Sequence, residues 1–388
     1  MLIGQRATVL GAGIAGLAAS IALAQRGAQV HVLDQAEAIR EVGAGLQISP
    51  NGVAVLKALG LGPELERIGL RAEAVNLRDY RKGRLVTRLP LQNAAGAYYF
   101  LHRADLIDML HNAATEAGVR IRLLQKVREV TVEDGKASFE TMQNVRHSPD
   151  LLIGADGVHS KARPAVNGAA EPFFTGQVAW RATVPNTDGL PNEVSVYMGP
   201  GRHMVIYPLR GGELVNIVAV EERAAWAEEG WNYKDDPSEL LNSFSGFATE
   251  VQSLLDRVED VYLWGLFRHP VAQNWHKGNA ALLGDAAHPT LPFLAQGANM
   301  ALEDAWVLAD SLASHPDQET ALAAYQHLRR ARCEKIVDAA SKNAKNYHLS
   351  FPPLRFAAHT ALRIAGGLSP DMMLRRFDWL YGYDVTSS

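Results

Sequence analysis

The chain has 388 residues, 47% hydrophobic and 21% charged, enough to bury a large core and to form two lobes. Its formal net charge of −4 shows no basic excess of the kind that nucleic acid or an anionic membrane surface selects. No stretch reaches the ~18 uninterrupted apolar residues of a membrane span. Cys333 is the only cysteine, which excludes an intrachain disulfide and fits a reducing, cytoplasmic setting.

The first strand is predicted at 6–10, almost at Met1, with no room for a signal peptide ahead of it. It runs into Gly11-Ala-Gly13-Ile-Ala15-Gly16, then a predicted helix at 17–26 and a second strand at 29–34 that ends on Asp34. This is a βαβ unit with a GxGxxG turn. Gly11 permits the tight turn, Gly13 lets backbone approach a pyrophosphate, and Gly16 lets helix and strand pack closely. A carboxylate at Asp34 is placed to accept hydrogen bonds from ribose hydroxyls. By itself the unit does not separate FAD from NAD. Neither Gly43-Ala-Gly45 nor Gly199-Pro-Gly201 repeats the pattern, so one dinucleotide site is expected.

Further along, 150–163 is an apolar strand that enters the turn Asp156-Gly157, with Ser160 as an alternative cap for the next helix. Four strand-like segments follow: 178–184, 193–197, 203–208 and 214–220. They predict an antiparallel sheet able to wall a substrate pocket. His203 and Tyr207 lie four residues apart, hence on one face, with Cα atoms about 13 Å apart at ~3.3 Å per residue. Such a pair can grip opposite ends of a small aromatic ring, or be a satisfied imidazole and a core tyrosine. Arg181 is a carboxylate anchor or a structural charge. A third buried strand at 280–284 ends in Gly284-Asp285, and Leu291-Pro292-Phe293 leads to Gly297-Ala-Asn299 at the start of a helix reaching about 312. The dipole of that helix would stabilise a reduced, negative flavin. From about 320 the chain is helical, interrupted by Pro352-Pro353 and Gly366-Gly367. The C-terminal arginines 355, 363, 375 and 376 are read as helix packing or a homodimer contact ahead of membrane contact.

The GxGxxG loop, Asp156-Gly157 and Gly284-Asp285, in this order, point to FAD held by discontinuous parts of one chain. The expected fold class is α/β: a Rossmann-like FAD-binding domain (1–72, 98–172 and 270–330), an inserted antiparallel-sheet substrate domain (73–97 and 173–269), and a helical C-terminal region (331–388).

With His102-Arg103-Ala-Asp105-Leu106 and Glu41-Val-Gly43-Ala-Gly45-Leu-Gln47-Ile-Ser-Pro50-Asn51, these motifs make most of 6–320 resemble the single-component FAD-dependent aromatic hydroxylases. That group includes 4-hydroxybenzoate, 3-hydroxybenzoate and salicylate hydroxylases. The resemblance implies non-covalent FAD contacted by Gly11, Gly13, Ala15, Gly16, Asp34, Gln47, Arg103, Asp156, Asp285, Gly297 and Asn299. Arg103 would reach the phosphate and ribityl region, and Asp285 the ribityl chain. Asp34 stands where the group usually has Glu, and Gln35 where a basic residue often follows. It further implies substrate contacts from Arg181, His203, Tyr207 and Pro292, with His203 and Tyr207 catalytic and no metal. NADH or NADPH would reduce the flavin, and O₂ would form a C4a-hydroperoxide that hydroxylates a phenolic acid of the hydroxybenzoate or salicylate type. His203 would deprotonate the phenol, because a phenolate is the better nucleophile. A quinone precursor, a purine, an N-heteroaromatic or an antibiotic remain as other substrates, and a redox-sensing flavoprotein with negligible turnover as another class.

Overall fold

The computed structural model describes residues 1–39, 45–93, 95–224 and 233–387. Glu41 and Gly43 of the second glycine segment lie outside them. One sheet has six strands, in the order His276–Lys277, Ala280–Leu282, Leu151–Gly154, Arg6–Leu10, Gln29–Leu33 and Arg120–Arg122. The inner pairs are parallel, with Val9 beside Ile153 and Val32, and Ile153 beside Ala281. Leu151–Gly154 is buried throughout, as a parallel strand covered on both faces must be. All three motif turns therefore leave the carboxyl ends of adjacent strands, where open α/β sheets bind ligands. The helix Ile14–Gln25 begins earlier than its periodicity predicts because Gly13 is its N-cap and Gly16 lies inside it.

An eight-stranded sheet follows the order Tyr233–Asp235, Val261–Arg268, Phe173–Pro185, Leu214–Glu222, Arg202–Leu209, Glu193–Gly199, Ala74–Asp79 and Leu85–Pro90. It is antiparallel except where Ala74–Asp79 lies parallel to Glu193–Gly199. That hairpin comes from a remote part of the chain, so no tight turn dictates its direction. Side chains alternate across the sheet. Met204 and Ile206 join a core with Phe244, Val251 and Leu254 under the helices Pro237–Ser243 and Thr249–Leu255. Tyr207 and Leu209 face the other way, toward Phe100, Tyr98 and Leu374. This second face also meets Phe293 and the C-terminal end of the long helix Gln318–Tyr347. Among the described residues no helix is long and apolar enough to cross a membrane.

Candidate active site

The three glycines of the first turn divide the work. Gly11 has φ +103°, and a Cβ on it would strike the Ala155 carbonyl oxygen. A Cβ on Gly16 would strike the Gly11 carbonyl oxygen. Both are therefore demanded by the protein's own packing. A Cβ on Gly13 meets nothing within 4 Å. Gly13 borders open space at the N-cap of Ile14–Gln25, where unpaired N–H groups and the positive helix end favour phosphate. Ala15 lies in the first turn of this helix, and a Cβ on Gly284 would come 2.9 Å from its Cβ. The Gly284-Asp285 turn thus abuts the glycine-loop helix.

Asp34 follows the second strand. Its Oδ2 accepts the Ala12 N–H at 2.6 Å and its Oδ1 the Ala36 N–H at 2.8 Å, which fixes the glycine loop and leaves lone pairs on both oxygens. Asp156 is engaged locally. It accepts from Ser160 Oγ at 2.6 Å, Lys161 N–H at 2.7 Å and Ala162 N–H at 3.2 Å, and so braces the entry to the helix Ala162–Asn167 from outside its Lys161 N-cap. Burial raises its pKa, against those bonds. Arg163, whose role the sequence did not reveal, donates to the carbonyls of Ala286 (2.8 Å), Ala287 (3.0 Å) and Pro270 (2.6 Å). It joins the two downstream turns.

Asp285 accepts no hydrogen bond among the described residues. Burial raises its carboxyl, while His288 and Arg103 pull it down. Arg103 opens the helix Arg103–Glu116; the cap is His102, whose Nδ1 accepts the Ala104 N–H at 3.3 Å, while Asp105 pairs outward with Arg210 at 2.7 Å. Burial, then Arg181, lowers Arg103 to about 10, against Asp285. Open space at Gly13, a carboxylate lacking protein donors and a nearby guanidinium form a chain of groups that fits a pyrophosphate and a polyhydroxyl linker.

Gly297 begins the helix Gly297–Ser314, and a Cβ there would meet only Thr290 Cγ2, at 3.6 Å. The Asn299 amide is spent inside the protein. Its Oδ1 accepts the Ser49 N–H at 3.0 Å, and its Nδ2 donates to the carbonyls of Gln47 (3.0 Å) and Ala295 (2.8 Å). What this end offers a ligand is the backbone N–H row of the first turn.

A buried ionic network fixes that helix. Glu303 and Asp304 flank Arg329, at 2.6 and 2.7 Å. Arg332 binds Glu303 at 2.8 Å, Asn51 donates to Glu303 at 2.6 Å, and His288 lies 2.5 Å from Asp304. Burial raises both carboxyls, but the cations outweigh it and hold them low. Burial likewise opposes charge on His288, and Cys333 and Asp304 overcome it, so its pKa is raised. His288, Asp304 and Cys333 are close enough to hold a metal. Arg329 already neutralises Asp304, so the cluster is read as structural.

On the sheet face, Tyr207 is buried with its ring 5.0 Å from that of Phe100. Gly45 crosses close above it, since a Cβ there would lie 2.8 Å from the hydroxyl. Gln47 accepts from Tyr98 Oη at 2.7 Å. Burial raises the Tyr207 phenol, against Arg181 and Gln47. Arg181 stacks over Trp264 at 4.8 Å and has no carboxylate in ion-pair range among the described residues; its Nε lacks a hydrogen-bond partner there. His203 contacts Phe293 and Tyr347, with centroids 5.3 and 5.2 Å away, and pairs with His348. Pro292 opens the short turn that carries Phe293. His203 and Tyr207 thus bracket one face, with Arg181 in electrostatic reach of Tyr207.

The FAD binding domain family matches residues 5–340. The chain is 32% identical to the 3-amino-4-hydroxybenzoate 2-monooxygenase PtnB3 of Streptomyces platensis, covering 98% of this chain and 96% of that protein. It is 34% identical to the 3-hydroxybenzoate 6-hydroxylase of Polaromonas naphthalenivorans, covering 97% and 96%. Among solved structures, Klebsiella pneumoniae HpxO complexed with FAD and uric acid superposes with a TM-score of 0.85 at 26% identity, over 98% of each chain. A salicylate hydroxylase substrate complex shares the fold, with a TM-score of 0.83 at 24% identity over 99% and 96%. The phosphate-ready glycine loop, the downstream turns and these matches agree: the chain belongs to the single-component FAD-dependent aromatic hydroxylases and is an FAD-dependent aromatic monooxygenase.

Proposed function

We propose that the substrate is a small phenolic acid, with NADH or NADPH as reductant and O₂ as oxidant. The carrying observation is Arg181, a guanidinium without a carboxylate partner among the described residues, on the sheet that also bears Tyr207 and His203. Arg181 takes the substrate carboxylate, Tyr207 orients the ring, and Pro292 borders it. His203 Nε2 removes the phenolic proton. Burial, then His348, lowers the pKa of His203, so its imidazole rests neutral and able to accept. When bound, reduced FAD supplies the activated oxygen; the protein supplies position and exclusion of water. Gly11 and Gly16 shape the turn at which Gly13 and Ala15 admit the pyrophosphate. Asp34 serves the adenosine ribose, and Arg103 and Asp285 the phosphate and ribityl chain. Gln47, Gly297 and Asn299 border the flavin ring, the last two by backbone N–H, and Asp156 shapes the turn beside it.

The same reading keeps the FAD lobe at 1–72, 98–172 and 270–330, the substrate lobe at 73–97 and 173–269, and a helical tail at 331–388. It also places the enzyme in the cytoplasm, as a homodimer. A purine is the second reading, favoured by the likeness to HpxO complexed with uric acid.

The test is oxidation of NADH and NADPH by the FAD-loaded protein with 3-hydroxybenzoate, 4-hydroxybenzoate, salicylate, 3-amino-4-hydroxybenzoate or urate. A phenolic acid that stimulates oxidation and returns with one added oxygen supports the proposal. Stimulation by urate alone selects the purine, and no stimulation by any of them overturns the phenolic-acid reading.

A further inference from the structure

His203 is the first of three linked groups. Its Nδ1 lies 2.6 Å from His348 Nε2, and His348 Nδ1 lies 2.8 Å from Glu222 Oε1. His203 is 1% exposed, and the His348 and Glu222 side chains are 1% and 51% exposed. The row therefore runs from the interior to water. Its geometry is held by backbone as well. The Gly201 N–H donates to the His348 carbonyl at 3.2 Å, and the Glu222 N–H donates to the Gly201 carbonyl at 2.9 Å.

Donor logic fixes the tautomers. An ionised Glu222 only accepts, so His348 Nδ1 donates to it and His348 Nε2 is left to accept. His203 Nδ1 then donates, and His203 Nε2 keeps its lone pair. One orientation of protons satisfies every link.

From this geometry we infer that His348 and Glu222 form a proton relay that carries the substrate's phenolic proton from His203 to solvent. The inference rests on the reading of His203 as the substrate-side base. The substrate O–H bond breaks and leaves its electron pair on oxygen, and the proton adds to His203 Nε2. The Nδ1 proton of His203 passes to His348 Nε2, the Nδ1 proton of His348 passes to Glu222, and Glu222 releases it to water. The reverse passage returns a proton to the product oxygen and restores both tautomers. No electrons move between groups.

Burial, then His348, holds His203 low, while burial outweighs Glu222 on His348, where Arg202 also lowers it. Both rings therefore rest neutral, as a tautomer relay requires. Polar groups near the row include Ser350, whose Oγ donates to the His348 carbonyl at 3.1 Å, Tyr347, which takes a hydrogen bond from Asn343 at 3.0 Å, and the Arg202–Glu221–Arg223 cluster, paired at 3.1 Å on each side. Glu222 opens on a surface cleft that Gln177, Arg268 and Lys345 also line.

The test mixes FAD-loaded enzyme with 3-hydroxybenzoate, 4-hydroxybenzoate or 3-amino-4-hydroxybenzoate in weak buffer. It follows the phenolate absorbance and the proton released to an indicator dye. The wild type is expected to ionise at least one of them with matching proton release. His348→Phe retains FAD and slows both signals about ten- to a hundredfold, the scale of lost acid–base assistance. Glu222→Gln, a surface change that leaves folding intact, slows them in the same sense by less. The relay is overturned if both variants release the proton at the wild-type rate, or if the wild type ionises none of the three phenols. His203→Ala separates the two ideas. If it ionises and hydroxylates as the wild type does, the substrate-side base falls. If it is impaired while His348→Phe and Glu222→Gln behave as wild type, only the relay falls.

Discussion

The pyrophosphate end of the site is made of backbone, and the substrate face is made of side chains. At the first end, Gly11 and Gly16 are closed against carbonyl oxygens while Gly13 faces open space. At the second, Arg181, Tyr207, His203, Phe293 and His348 come from four separate segments and meet only in the fold. A backbone site has no side chain to retune, so one added carbon ends it. A side-chain site can lose one contact and keep its shape.

The largest expected effect tests the first half of that contrast. Gly13→Val should fold and bind no FAD, since its side chain fills the space left for phosphate. Gly16→Val should fail to fold, because its Cβ collides with the Gly11 carbonyl oxygen. Flavin absorbance after gel filtration, beside thermal unfolding, checks both. A yellow Gly13→Val protein would remove phosphate binding from this loop.

Next is the support that the two halves share. Arg329→Leu removes the cation shared by buried Glu303 and Asp304, leaving Arg332 to the first and His288 to the second, and should cost about 3 kcal/mol in denaturant unfolding. The sign of its pH dependence follows. Both carboxyls are held below their ordinary values in the folded protein, so their stabilisation is complete above their unfolded pKa values of about 4. It is lost as pH falls through their lower folded values. Without Arg329 that acid-side loss should shrink, and an unchanged acid limb in Arg329→Leu would show that the network does not set it.

How much of this was legible follows from the same contrast. Backbone demands show in sequence as glycines at fixed spacing, which is why the βαβ unit and the strand-to-turn motifs could be read. A side chain's final partner leaves no such local trace. Asp156 and Asn299 stand at the expected segments, yet their polar atoms brace a helix entry and fasten a strand. Glu303 and Asp304 look like ordinary helix charges until Arg329 and Arg332 arrive from the next helix. One clue was present: the acidic pair sits among Ala301, Leu302, Ala305 and Leu308, on a helix otherwise apolar there. His348 had none, since 145 residues separate it from His203.

A smaller effect is expected at Asp285. Asp285→Ala removes a carboxylate that takes no hydrogen bond among the described residues, so it should weaken FAD by about 1.5–3 kcal/mol, the worth of a charge-assisted hydrogen bond. Stability should change little, because relief of the Asp285 burial is opposed by the loss of its attraction to the buried Arg103 guanidinium. Titration of apoprotein with FAD measures it. Unchanged affinity would leave this turn a packing element against Ala15.

The smallest effect sharpens the substrate half. Tyr207→Phe keeps the ring that packs on Phe100 and removes only the hydroxyl beneath Gly45. Volume is almost conserved, so folding and FAD content should match the wild type. The lost hydroxyl is a neutral hydrogen-bonding group, worth about 0.5–1.5 kcal/mol, and the phenolic acid that the enzyme turns over should bind up to about tenfold more weakly. If Tyr207 orients the ring, the same variant should also spend more reduced nicotinamide per hydroxylated product, since a misaligned ring misses the activated oxygen. Affinity loss with unaltered coupling would make Tyr207 a grip on the substrate without a part in aiming it. Loss of neither would return Tyr207 to the core and leave orientation to Arg181.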